Sequence, residues 1–173
     1  MSPAGSKNAP EAKAREKIDE LLAQAGWIVQ DRDDMNLTAG DAVAVREFKL
    51  EKGHGYVDYL LFLDGAAVGV VEAKPAGYSF TSVEVQANKY VEGLPKSLNT
   101  PVRPLPFAYI STGEESVFIN TLDPQSRSRP VFTFHRPETL REWLSADTLD
   151  AWLKHSGGCY TRVDDTRPPT PRT

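Results

Sequence analysis

The sequence predicts an α/β domain with a mixed central sheet flanked by helices. Three observations carry that expectation. Ile18, Leu21, Leu22 and Ala25 form an apolar stripe at helical spacing near the start of the chain. Two strongly apolar runs, Tyr56 to Leu63 and Ala66 to Lys74, then stand on either side of Asp64-Gly65, like the strands of a hairpin. Further helical and strand-like patterns follow, an order that suits a sheet covered by helices.

Residues 1–9 are small and polar and are expected to be a disordered tail. The first helix should run from Glu11 to Ala25, with Gly26 closing it. At roughly 100° per residue, Glu11 falls about 20° from Ile18 and so shares the inward face, whereas Glu16 and Glu20 face water. Trp27 to Gln30 suits a short strand, and a polar stretch from Asp31 to Asp41 follows. Val43, Val45, Phe48 and Leu50 mark the next strand, and Gly53-His54-Gly55 turns the chain into the hairpin. Both hairpin strands are apolar on both faces, as central strands are. Pro75 ends the second, because it lacks the ladder donor.

A second helix is expected over about Ser82 to Gly93, with Thr81 or Ser82 as its N-cap. A proline-rich crossover spans Pro95 to Pro106. Strands are expected at Phe107 to Ser111, Ser116 to Leu122 and Val131 to Phe134, then short helices at Pro137 to Leu144 and Thr148 to Lys154. Pro137 suits a first helical position. The domain is therefore expected over residues 10–155, with residues 156–173, rich in glycine and proline, as a flexible tail or linker.

A chain of 173 residues can bury one core, and 40% hydrophobic with 25% charged residues is an ordinary globular balance. No apolar run approaches the roughly 20 residues of a membrane helix. The first residues lack a secretory signal, so a cytoplasmic location is the default expectation. A lone cysteine, Cys159, excludes an intramolecular disulfide and a cysteine-based zinc site. The net charge of -4 argues against holding phosphate backbone by bulk electrostatics. Arg127, Arg129, Arg136 and Arg141, with His135, still make the later third locally basic; solvated loop arginines are the plain alternative. His54, His135, His155, Asp19, Asp41 and Asp64 show no metal-ligand spacing and read as surface or turn residues.

The chemistry concentrates at the hairpin. Asp58 lies in one apolar strand, and Glu72-Ala73-Lys74 ends the other. Charge is costly in such strands unless it finds partners or a metal. Two carboxylates, with the backbone carbonyl of Ala73, offer the hard oxygens that Mg²⁺ prefers. Lys74 shares a strand face with Glu72 and could orient a water or stabilise developing charge. The plain alternative is a polar strand end with Lys74 paired to Glu72 in solvent. A strict two-residue turn would pair Leu63 with Ala66 and Asp58 with Val71, turning Asp58 away from Glu72. Convergence therefore requires a one-residue register shift, through a longer loop or a bulge. Gln86 and Tyr90, four apart on the second expected helix, share one face and could contact DNA backbone or brace Lys74; a partly buried polar pair is the alternative. Glu11 is either a further site acid or a carboxylate favoured by the helix dipole.

Several segments together resemble the opening of type I restriction enzyme R subunits. They are Glu11-Ala12-Lys13-Ala14-Arg15 through Ala25-Gly26-Trp27, Asn36 to Gly40, Val43 to Phe48, the hairpin with Glu72-Ala73-Lys74, Gln86 to Pro95 with its Gln-x-x-x-Tyr pattern, and Phe134 to Leu140. The resemblance spans about residues 11–144. It implies an N-terminal endonuclease domain with the PD-(D/E)xK restriction-endonuclease-like core. It also implies Mg²⁺ held by Asp58 and Glu72, a catalytic Lys74, and support from Gln86, Tyr90 and, by helical face, Glu11. Val57 stands where the motif name would put proline. Double-stranded DNA is the implied substrate, and the modification and specificity subunits are partners through a full-length protein. ATP would serve only a motor part; no Gly-x-x-x-x-Gly-Lys-Ser/Thr loop is present, so the chain is expected to be a fragment of something longer. The rivals are a free-standing repair or junction nuclease of the same fold, and a docking domain that binds DNA or subunits without cleaving.

Overall fold

A computed structural model describes residues 9–80 and 93–145 of the chain. Among the described residues, seven strands form one sheet in sequence order: β1 (Ile28–Asp31), β2 (Ala42–Lys49), β3 (Tyr56–Leu63), β4 (Ala66–Ala73), β5 (Phe107–Ser111), β6 (Ser116–Asn120) and β7 (Ser128–Val131). β1–β2 and β4–β5 are parallel and the other neighbours antiparallel, so the sheet is mixed as expected.

Helix α1 (Ala9–Ala25) lies on one face. Its Ile18, Leu22 and Ala25 pack with Trp27, Tyr59, Leu61, Val71, Phe107 and Tyr109 in the larger core, which Phe134 and Leu140 complete. The helix ends through Gly26 N–H to Ala23 O and Trp27 N–H to Leu22 O, at 3.1 and 3.0 Å, a pattern that satisfies its last carbonyls. Leu140 belongs to a stretch helical over residues 137–145. The opposite face buries Val43, Val45, Phe48, Leu60, Phe62 and Val70 under Leu94 and Leu105, from the segment that leads into β5. Among the described residues, no helix is long and apolar enough to cross a membrane.

One strand differs from expectation. β7 pairs through Ser128–Val131, three residues before the aromatic run that reads as a strand. It is an edge strand, where Pro130 costs no interior ladder bond. Phe134 is instead drawn into the main core, while Phe132 is fully exposed. Core burial of Phe134 outweighs local strand propensity here. The expected helices at 82–93 and 148–154 fall outside the described residues, apart from helical Gly93.

Asp19 and His135, expected at the surface, are partly buried and bonded. Arg46 grips Asp19 with Nε 3.1 Å from both carboxylate oxygens and Nη2 at 2.8 Å, and reaches Asp31 at 2.9 Å. The Tyr59 hydroxyl adds a 2.8 Å bond to Asp19. Burial first, and Asp19 second, push the Tyr59 phenol well above its usual range. Arg46→Ala should destabilise the domain by about 2 kcal/mol in chemical denaturation, because it strands a part-buried carboxylate while solvent still reaches the pair.

His135 sits among Tyr109, Phe118 and Trp143, with the Tyr109 hydroxyl 2.7 Å from Nδ1. Burial lowers the imidazole pKa below the ordinary 6.5 and raises that of Tyr109, so the phenol donates to a neutral ring. The unfolded chain then binds the extra proton more readily. The stability that neutral His135 contributes is present above about pH 6.5 and is lost as pH falls through the lower folded value. Thermal melts of the parent chain and His135→Gln between pH 7 and 5 should therefore show the steeper loss in the parent.

Candidate active site

The hairpin turn is built as its sequence suggests. Asp64 and Gly65 take φ of 50° and 78°, the left-handed pair of a two-residue hairpin turn that Asp-Gly favours. Leu63 pairs with Ala66, and Phe62 with Ala67. The register then slips by one, so that Leu61 opposes Gly69 and Tyr59 opposes Val71. This is the shift that convergence of Asp58 with the Glu72 end requires. It arises from a bulge at Val68, while the turn itself stays short.

The β3–β4 ladder stops at Tyr59 and Val71. Beyond it β3 continues against β2, through Val57↔Phe48, while β4 continues against β5, through Glu72↔Ile110 and Ala73↔Ser111. The sheet forks, and Asp58 stands at the fork. Its Oδ2 accepts a 2.9 Å bond from Ala73 N–H, so that a side chain satisfies a backbone donor the ladder leaves open. Oδ1 pairs with Arg15 of α1. The Asp58 side chain is 18% exposed, so this charge needs that neutralisation.

On the other arm of the fork, Glu72 pairs with Lys74. Their side chains are only 14% and 19% exposed. Burial disfavours the Lys74 ammonium, but the Glu72 bond outweighs it, with Tyr78 and Asp58 adding in the same sense; the pKa rises. Lys74 thus feels both carboxylates. A Pro75–Tyr78 turn folds the Tyr78 ring back to 5.4 Å from the Lys74 Nζ, a cation–π contact.

Val71 and Ala73 pack toward α1, so alternation sends Glu72 to the opposite face. Asp58 is held toward α1 by Arg15. The two carboxylates are neighbours at the fork, but their side chains are engaged by cations on opposite faces. Glu11 lies one turn before Arg15, half-buried, and makes no ion pair with a described residue. Gln86 and Tyr90 fall outside the described residues.

Arg15, Glu47 and Tyr78 join the site without having been singled out by residue pattern. Arg15 Nη1 lies 3.3 Å from Glu47, which takes φ of 48° on β2. Arg46↔Tyr59 and Phe48↔Val57 flank Glu47 and Asp58, so these two acids stand across from each other with Arg15 bridging them. Helical spacing offered the signal for Arg15: it lies about 60° from Ile18, at the margin of the inward face. Strand alternation offered none for Glu47, because its positive φ interrupts the pleat.

In donor type the residues suit a hard divalent ion, with two part-buried carboxylates and an adjacent backbone carbonyl, although the two carboxylates are held on opposite faces. Among the described residues, no three acidic, histidine or cysteine side chains cluster as a metal site. An ion here would rely on two carboxylates and keep several waters, as Mg²⁺ commonly does.

Residues 31–106 match the family model for the second domain of the type I restriction enzyme EcoKI endonuclease subunit. This segment is thus similar to a domain of type I restriction endonuclease subunits. The matched stretch carries β2, the whole hairpin, Glu72-Ala73-Lys74, and also Gln86 and Tyr90. The chain is also similar in fold to a fragment described as an HsdR subunit of a type I restriction enzyme from Vibrio vulnificus YJ016. That pair has a TM-score of 0.57 and 22% identity over 82% of this chain and 26% of the other. The chain thus spans about a quarter of that relative's length. A DUF820 protein from Anabaena variabilis ATCC 29413, described as a nuclease, gives a TM-score of 0.41 at 11% identity, over 83% of this chain and 86% of that one. No curated protein matches the chain.

Proposed function

We propose that this chain is a Mg²⁺-dependent DNA endonuclease domain, the nuclease part of a type I R subunit. The observation that carries the reading is the fork. A bulge brings Asp58 beside Glu72-Ala73-Lys74, with Asp58 bonded to Ala73 N–H. In this reading Asp58, Glu72 and the Ala73 carbonyl would hold the ion, which when bound would supply activation of a water and neutralisation of the leaving oxygen.

Lys74, steadied by Glu72 and Tyr78, presents a compact cation to the attacking water or to developing phosphate charge. Gln86 and Tyr90 are assigned to backbone contacts and Glu11 to the margin of the site. Double-stranded DNA is the proposed substrate, and the modification and specificity subunits would meet the domain through a longer protein. ATP chemistry is assigned to that longer protein's motor.

Incubation of supercoiled plasmid with the chain tests this. Nicking that appears with Mg²⁺ or Mn²⁺ and stops with EDTA is the expected result. DNA binding that neither cleaves nor responds to a chelator would favour a docking domain instead.

A further inference from the structure

Arg15 holds Asp58 on the α1 side, away from the carboxylate that would share its ion. The guanidinium occupies Oδ1 of Asp58 from the α1 side, while Ala73 N–H occupies Oδ2. Glu72 faces the other way, with Lys74 and Tyr78. For Asp58 and Glu72 to share one ion, the Asp58 carboxylate must turn from the α1 side toward Glu72, which loosens its present bonds. Ala73 N–H belongs to the strand backbone and cannot move far; Arg15 is a long side chain and can.

Two further observations mark Arg15 as the group that yields. Its Nε is buried and has no hydrogen-bond partner among the described residues, so the present arrangement is not fully satisfied. Its Nη1 already reaches Glu47, directly across from Asp58. If Asp58 leaves, Glu47 retains the cation, and no part-buried charge is stranded. The groups also line a cleft of about 1000 Å³, together with Asp31, Arg46 and Tyr56, which gives the guanidinium space to turn.

We infer that Arg15 is a gate on the metal site: a built-in cation that neutralises Asp58, holds it away from Glu72, and competes with the divalent ion. Arg15 is thus a positioning residue acting through Asp58. The inference rests on the nuclease reading, because it takes Asp58 and Glu72 as the metal ligands.

The test is Mn²⁺ binding to the full chain, read by electron paramagnetic resonance of free ion, with no DNA present. Arg15→Gln, which keeps a hydrogen-bonding side chain but removes the charge, should bind Mn²⁺ about ten times more tightly than the parent. Arg15→Lys, which keeps the charge, should bind like the parent. Circular dichroism melts of both variants serve as the check that they fold. Simple structural damage would weaken binding, so the direction separates a gate from a brace. If the parent binds Mn²⁺ and Asp58→Asn and Glu72→Gln abolish it, but Arg15→Gln binds no more tightly, the gate is overturned and the metal site stands. If Mn²⁺ binding ignores Asp58 and Glu72, the nuclease reading fails and the gate with it.

Discussion

Replacing Asp58 with Asn, or Lys74 with Gln, is expected to lower Mg²⁺-dependent nicking of supercoiled plasmid by at least ~100-fold. Each exchange removes a charge and little volume. Asn at 58 can still accept from Ala73 N–H, so the fork keeps its substitute for the missing ladder bond. What it loses is the carboxylate that pairs with Arg15 and, in the proposed mechanism, holds the ion. Gln at 74 can still bond Glu72 but offers no positive charge to the phosphate. Alanine is the blunter choice at 58, because it would leave Arg15 without one partner and Ala73 N–H without an acceptor. The check is initial nicking rate beside a thermal melt, so that lost activity is read only from folded protein. Wild-type rates in both variants would remove these residues from the mechanism.

Gly69→Ala should destabilise the domain by about 3 kcal/mol, and lower the melting temperature by roughly 10 °C. A Cβ at Gly69 would stand 2.7 Å from Phe107 O and 3.0 Å from Phe107 Cβ. The first of these is backbone, in the neighbouring parallel strand, and Gly69 and Phe107 are direct ladder partners. Relief therefore requires β4 and β5 to separate, at the centre of the sheet. The position matters to the site as well. Gly69 adjoins the bulged Val68, the point where the register slips to bring Asp58 beside the Glu72 end. Any of the variant that folds should thus also nick more slowly. Urea denaturation of parent and variant gives the stability difference, and a change under about 1 kcal/mol would contradict the close-packing account.

Much of the scaffold could be read directly. The α1 stripe, its Gly26 closure, the two hairpin strands and the strands at Phe107 and Ser116 appear close to where hydrophobic period and turn residues put them. Asp64-Gly65 specified a tight turn, and the chemistry of two carboxylates demanded a register shift near it. Those signals are local, carried by residues within a few positions of each other. β7 lies earlier than expected because Phe134 is buried against Tyr109, far back in the sequence, a contact that a local pattern cannot register. Asp19 and His135 looked like surface groups for the same reason: Arg46, Tyr59 and Tyr109 lie far away in sequence.

The site divides along the same line. Residue type and spacing marked Asp58, Glu72 and Lys74 as the charged groups of an apolar hairpin, and the one-residue geometry of a strand already required a slip between them. Where the slip occurs depended on packing, since a bulge at Val68 lets the turn stay short while Gly69 admits β5 closely. Which partner holds Asp58 also depended on folding. Arg15 precedes it by 43 residues, and only the docking of α1 across the fork sets that guanidinium against the carboxylate. A chain's periodicity reports which face each side chain takes, but electrostatic partners are chosen by proximity in space, and proximity arises when the elements pack.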